Sequence, residues 1–222
     1  MEEAEKEMEK KSDKILWYSF IILIIIVAII IIVPKYINPV VSVDELHKRN
    51  FEGKLNPDEG YLYNGYSFVF HEGLWNTQIQ SRGSEAKLFD IKLHYGPREV
   101  EHIQPQGFLN KSNLDKYLNF FNTFNPEDDD LGFIAAATSE ANFVLTQVFG
   151  KGVIGSCTKQ FQGCEDRPIV ECDSTDAPVL YYASEEDTNL LYLNNCVIIS
   201  GSGDEIFKST DRLLYDLMGI MN

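Results

Sequence analysis

Histidines, a run of acids and a set of cysteines are the side chains of this 222-residue chain whose types and spacing could do chemistry. The histidines are His47, His71, His94 and His102. His94 and His102 flank the turn at Gly96-Pro97, with Glu99 and Glu101 between them. Such a turn could bring two imidazoles and two carboxylates together as metal ligands or as an acid–base pair. Their spacing matches no H-E-x-x-H pattern, so ordinary surface histidines are the expectation and a site at His94, His102 and Glu101 is the alternative.

The acids run Glu127-Asp128-Asp129-Asp130-Leu131-Gly132. Hard cations take several carboxylate oxygens, so Asp128, Asp129 and Asp130 are candidate ligands for a divalent ion. The order D-x-[DN]-x-[DN]-G with a distal Glu is absent, and three consecutive Asp side chains cannot all face one ion. A solvated loop with no cofactor is therefore expected, with the cation as the weaker reading.

Nucleophilic chemistry has little to stand on. No G-x-S-x-G occurs, and Ser139, beside Glu140 near a predicted strand-to-helix junction, reads as a helix cap. Gly201-Ser202-Gly203 is a fragment of a phosphate-cradling loop, but Asp204-Glu205 would repel phosphate, so helix entry is the better reading. No catalytic or cofactor-binding residue is assigned.

Cys157, Cys164, Cys172 and Cys196 all lie in the last third of the chain. They lack the close C-x2-C pairs of structural zinc sites and instead suit disulfides in an oxidising compartment. Of the three connectivities open to four cysteines, Cys157–Cys164 and Cys172–Cys196 is preferred. The first closes a short loop over residues 160–163, and the second joins strands expected in one sheet. Asn110-Lys111-Ser112 is an N-x-[ST] sequon, so Asn110 is a glycosylation candidate if this part of the chain lies outside the cell.

The element that must position all of this is residues 15–33, ILWYSFIILIIIVAIIIIV, which carry no charge. Nineteen helical residues would extend roughly 28 Å, close to the ~30 Å hydrocarbon core of a bilayer. The run is too long for the apolar part of a cleaved leader and lacks a small-residue cleavage site, so it reads as an uncleaved signal anchor. Lys6, Lys10, Lys11 and Lys14 precede it, whereas Lys35 and Lys48 follow within similar reach. That asymmetry puts residues 1–14 in the cytoplasm as a short tail and everything beyond the span outside.

Net charge is −15. Residues 1–35 hold five Lys and six acids, so 14 basic and 28 acidic side chains lie beyond them. Such a surface repels phosphate backbones, which excludes nucleic acid as a partner. The partners expected are the lipid bilayer, through residues 15–33, and a protein at the cell surface.

A juxtamembrane stalk is expected over 34–59, with a brief helix at 43–49. An α+β domain follows over 60–222, divided into a β-meander lobe (60–109) and a helix–strand lobe carrying the cysteines (110–222). Asn64-Gly65 and Glu72-Gly73 are hairpin turns between period-two runs, which predict strands at 61–63, 66–70, 74–80 and 87–95. A helix is predicted over 112–121, a small-residue strand over 132–137, and a helix from 138 or 139 to 149. Strands are predicted at 153–157, 169–172, 179–182, 190–193 and 196–200, before a final helix over 205–218. The resulting expectation is a single-pass surface protein with a non-enzymatic domain for recognition or assembly. Tyr61, Tyr63, Tyr66, Phe68, Phe70 and Trp75 supply either its contact face or its core. A membrane-tethered hydrolase or metal-dependent enzyme is the alternative.

Overall fold

The computed structural model describes residues 17–30, 41–81, 87–109 and 111–221. They divide into a unit ending at Ser42 and a compact unit from Val43 to Asn222. The cytoplasmic tail at 1–14, the stalk at 34–40 and Asn110 of the sequon lie outside the described residues.

In the first unit, residues 17–30 form helix α1. Its side chains are largely exposed, from Trp17 at 71 % to Ile30 at 65 %. Helix α1 covers 14 residues of the apolar run, and positions 15–16 and 31–33 lie outside the described residues. Among the described residues no helix is long and apolar enough to cross a membrane.

The second unit begins with α2 (Val43–Phe51), then β1 (Gly60–Tyr63), β2 (Tyr66–His71), β3 (Leu74–Gln80) and β4 (Leu88–Leu93). These four strands make an antiparallel sheet in sequence order, as the period-two pattern predicts. Asn64-Gly65 and Glu72-Gly73 both have positive φ at each residue, the mirror-image turn that suits twisted strands. Tyr61, Phe68, Trp75, Ile91 and Leu93 are buried on the inner face. The outer face is covered in part by α2, whose Asn50 Nδ2 donates to Tyr61 O, Phe68 O and Ser67 Oγ at 2.8–3.1 Å. Residues 43–59, expected in the stalk, are thus part of the folded domain.

After α3 (Pro97–Val100) come β5 (Gln106–Leu109), α4 (Lys111–Lys116), β6 (Asn119–Phe124), α5 (Leu131–Gln147) and β7 (Gly152–Cys157). The chain ends with β8 (Val179–Ala183), β9 (Asn189–Asn194), β10 (Cys196–Ser200) and α6 (Glu205–Met218). The second sheet has the order β5-β9-β10-β8-β6-β7 and is mixed, with only the β9–β10 hairpin antiparallel. Strand β5 therefore leaves the meander lobe to which the sequence assigns it and edges the second sheet.

Two predicted elements are corrected. The helix over 112–121 stops at Lys116, and β6 begins at Asn119. Strand β6 lies between β8 and β7 with Phe120, Asn122 and Thr123 buried. A strand covered on both faces loses its alternation, so its apolar residues mimic a helical stripe. The strand over 132–137 is instead the first half of α5. Ile134, Ala137, Ala141, Val144 and Leu145 are its buried residues, a helical period that only a window longer than the small-residue run exposes. Consequently the βαβ unit is β6–α5–β7 and starts one element earlier than predicted. The strand expected at 169–172 reduces to a single bridge between Cys157 and Ile169.

Helices α5 and α6 form a middle layer between the two sheets. Phe68 of β2 meets Tyr215 of α6 edge to face at 5.7 Å, while Leu180, Tyr182, Leu190 and Ile199 of the second sheet belong to the same core. That sandwich explains why all of Ser209 to Met218 is buried, including Asp211, Arg212 and Asp216. Both expected disulfides are present, Cys157–Cys164 and Cys172–Cys196, with Cα separations of 6.3 and 5.2 Å.

A candidate binding face on the second sheet

The face of the six-stranded sheet turned away from the helices has its own small cluster. Val170, Val179 and Cys196 are buried there, with Phe121, Tyr181 and Ile198 packed around them. What covers this face is the cysteine-rich loop between β7 and β8. Thr123 Oγ1 donates to Val170 O at 2.7 Å, Val170 N donates to Cys157 O at 2.9 Å, and Cys172 is bonded to Cys196 of β10. Those ties hold the loop over β6 and β8. They stop short of β9 and β5.

Leu193 of β9 is 44 % exposed, and Phe108, its register partner on β5, is 77 % exposed. Leu191 and Ile198 on the same face are half-buried. Where the loop meets this open surface, a hollow of about 500 Å³ is lined by Tyr181, Leu193, Ile198 and Cys172, with Glu171 and Asp173 at its rim. Concave sites for ligands commonly span ~300–1,000 Å³. Burial raises the Tyr181 phenol, and the nearby carboxylates of Asp128, Glu185 and Glu171 raise it further. Lys159, the cation of the lining, pairs with Glu127.

Within the acidic run, Asp130 serves as a brace at the carboxyl ends of β6, β8 and β10. Asp130 Oδ2 accepts from Ser184 Oγ at 2.6 Å, Gly203 N at 2.9 Å and Ser202 Oγ at 3.1 Å. Those donors hold the Asp130 carboxyl below its ordinary value. Asp128 accepts from Asn125 Nδ2 at 2.8 Å, and Asp129 is exposed. Gly201-Ser202-Gly203 is the entry to α6, as read from the sequence, and its donors are directed at Asp130. Among the described residues no group of three His, Cys, Asp or Glu side chains could hold a metal ion.

His94 takes a partner other than His102 and Glu101. His94 Nδ1 lies 3.1 Å from Glu140 Oε2 of α5, and its ring stacks on Phe207 with centroids 3.8 Å apart. His102 is exposed, and Glu101 Oε2 accepts from Tyr63 OH at 3.5 Å. Behind His94 lies a group the sequence reading missed. Asp211 of α6 is fully buried, its Oδ2 accepting from Tyr95 N at 2.8 Å. Tyr215 OH donates to Tyr95 O at 2.6 Å from the next turn of the helix. Burial pushes the Asp211 carboxyl well above its ordinary value, and the Glu140 carboxylate adds to the shift. Glu140 is itself raised by burial, against the pull of His94. This cluster bolts the end of β4 to both helices. Ser139, read as a cap, sits within α5 and donates to Ala135 O at 2.8 Å.

The aromatic residues of the meander divide by burial. Tyr61, Phe68 and Trp75 are core, whereas Phe70 is 43 % exposed. The open face of the second sheet, with Phe108 and Leu193 exposed, was not anticipated from the sequence. Its signal was the uninterrupted run Leu190-Leu191-Tyr192-Leu193, apolar on both strand faces. Such a run predicts cover on both sides. Only one side has it among the described residues. The chain matches no protein family, no curated protein and no solved structure.

Proposed function

We propose that this chain is a single-pass membrane protein whose extracytoplasmic domain, residues 43–222, is a non-enzymatic recognition module that docks a protein partner on the open face of the second sheet. The observation that carries the docking is the exposed pair Phe108 and Leu193 beside the hollow at Tyr181. Soluble proteins seldom leave large contiguous apolar surface uncovered, and such patches mark interaction sites. The anchor rests on the uncharged run at 15–33 and on the exposed apolar side chains of α1. The orientation rests on the lysine asymmetry around that run and on the paired cysteines.

The test is topological. Full-length protein tagged at both ends is expressed in intact cells and challenged with added protease. Loss of the C-terminal tag with protection of the N-terminal one is the expected result. Alkaline carbonate should leave the chain with the membrane pellet. Release into the supernatant, or protection of the C-terminal tag until the cells are permeabilised, overturns the reading.

A second reading, a membrane-tethered hydrolase, is favoured by one observation, the direct pairing of His94 with Glu140. A carboxylate that orients an imidazole is the arrangement of a general base. If water is the nucleophile, His94→Ala abolishes turnover; if the domain only recognises, that variant keeps partner binding intact.

A further inference from the structure

The hollow on the second sheet has an uneven chemistry. Its floor is apolar, from Leu193, Ile198 and the Cys172–Cys196 disulfide. Glu171 and Asp173 stand exposed at its rim, and Asp128 and Glu185 act on the Tyr181 hydroxyl from nearby. Opposing them is Lys159, whose charge is engaged by Glu127. Carboxylates gathered at a rim repel one another and are relieved by a cation from outside. A tyrosine ring with carboxylates around it suits the head of a lysine or arginine, through charge and through the face of the ring. The apolar floor favours the methylene stem of such a side chain over a bare ion, since long cationic side chains bury their stems. Beyond the hollow the open surface continues to Phe108 on the edge strand, so the occupant is longer than one residue. The acidic excess beyond residue 35 would also steer a basic partner in from a distance.

Resting on the docking role proposed above, we infer that the partner presents a basic, extended segment: a lysine or arginine enters the hollow beside Tyr181 under Glu171 and Asp173, and an apolar neighbour covers Leu193 and Phe108. Two features set the specificity. The carboxylate rim selects the sign of the charge, and the exposed sheet face selects an extended backbone bearing apolar side chains on alternate positions.

The test uses the full chain in micelles of a neutral detergent, with methyl groups of Leu193 and Ile198 observed by NMR. Three capped decapeptides serve as probes, alternating valine with lysine, with glutamate or with serine. The lysine peptide is expected to shift both methyls, at least tenfold tighter than the serine peptide, with affinity falling as salt is raised. The exposed double variant Glu171→Lys/Asp173→Lys should lose that preference and favour the glutamate peptide. Equal binding of all three peptides at these methyls overturns the charge selection while the docking face stands. Shifts from the lysine peptide confined to other residues mean attraction to the acidic surface at large, which overturns the inference too. If no peptide moves Leu193 or Ile198, the docking face itself is wrong.

Discussion

Asp211 is a fully buried carboxyl group, and its consequences can be measured. Its folded value lies above the ordinary 3.8, first through burial and then through Glu140. A group whose folded value is raised contributes stability that is complete below the unfolded value and is lost as pH rises through the folded one. Asp211→Asn keeps an oxygen for Tyr95 N–H and removes the charge. Its Tm should therefore exceed that of the parent at pH 8, with the gap closing towards pH 4. Asp211→Ala strands the Tyr95 donor and should cost roughly 1–3 kcal/mol at either pH, by urea unfolding. His47 carries the opposite sign. Its Nδ1 lies 2.8 Å from Ser67 Oγ, and burial holds the imidazole below its ordinary 6.5 against the pull of Asp90 and Asp44. The unfolded chain takes up that proton first, so stability is complete above about pH 6.5 and falls as pH drops below it. His47→Gln should flatten the change in urea midpoint between pH 7.5 and 5.

Single elements decide how the open face is built. Strand β5 reaches β9 through Gly107, whose φ is +82°, and a Cβ there would meet Tyr192 O at 2.2 Å. That obstacle is backbone and cannot swing aside. Gly107→Ala should detach β5, seen as loss of amide protection at 106–109 and as a stability loss of about 1–3 kcal/mol from the backbone strain. The loop above β8 depends on its disulfide to β10. Cys172→Ser/Cys196→Ser should lower unfolding free energy by about 3 kcal/mol, the scale for releasing a loop of this length. It should also sharpen proteolysis within 158–178, because the covalent tie of that loop to β10 is then lost.

The unit from Val43 onward is built of three layers with a fourth, partial one. The four-stranded sheet, the helix pair and the six-stranded sheet share one core, and the cysteine loop covers part of the far face. The incompleteness of that cover places apolar surface between β5 and β10 and acidic residues along the border. Replacing Leu193 by Asp should weaken partner capture while leaving Tm nearly unchanged, because that side chain is already 44 % exposed.

Several features were decided by local chemistry and so were legible before any fold. Hairpins at Asn64-Gly65 and Glu72-Gly73 needed only the turn preference of their residues, and α6 needed only its apolar period and the stop at Gly219, whose φ is +76°. The disulfide pairing followed from which segments were short enough, or paired closely enough, to meet. Burial from two sides was decided elsewhere. The polar side chains of α6 are interior as well: Asp211 accepts from Tyr95 N just after β4, and Asp216 accepts from Tyr192 OH of β9. Strand β6 lost its alternation for the same reason, and the apolar run of β9 pointed to a cover that does not reach Leu193. Period reports one buried face; only the packing of layers assigns the second.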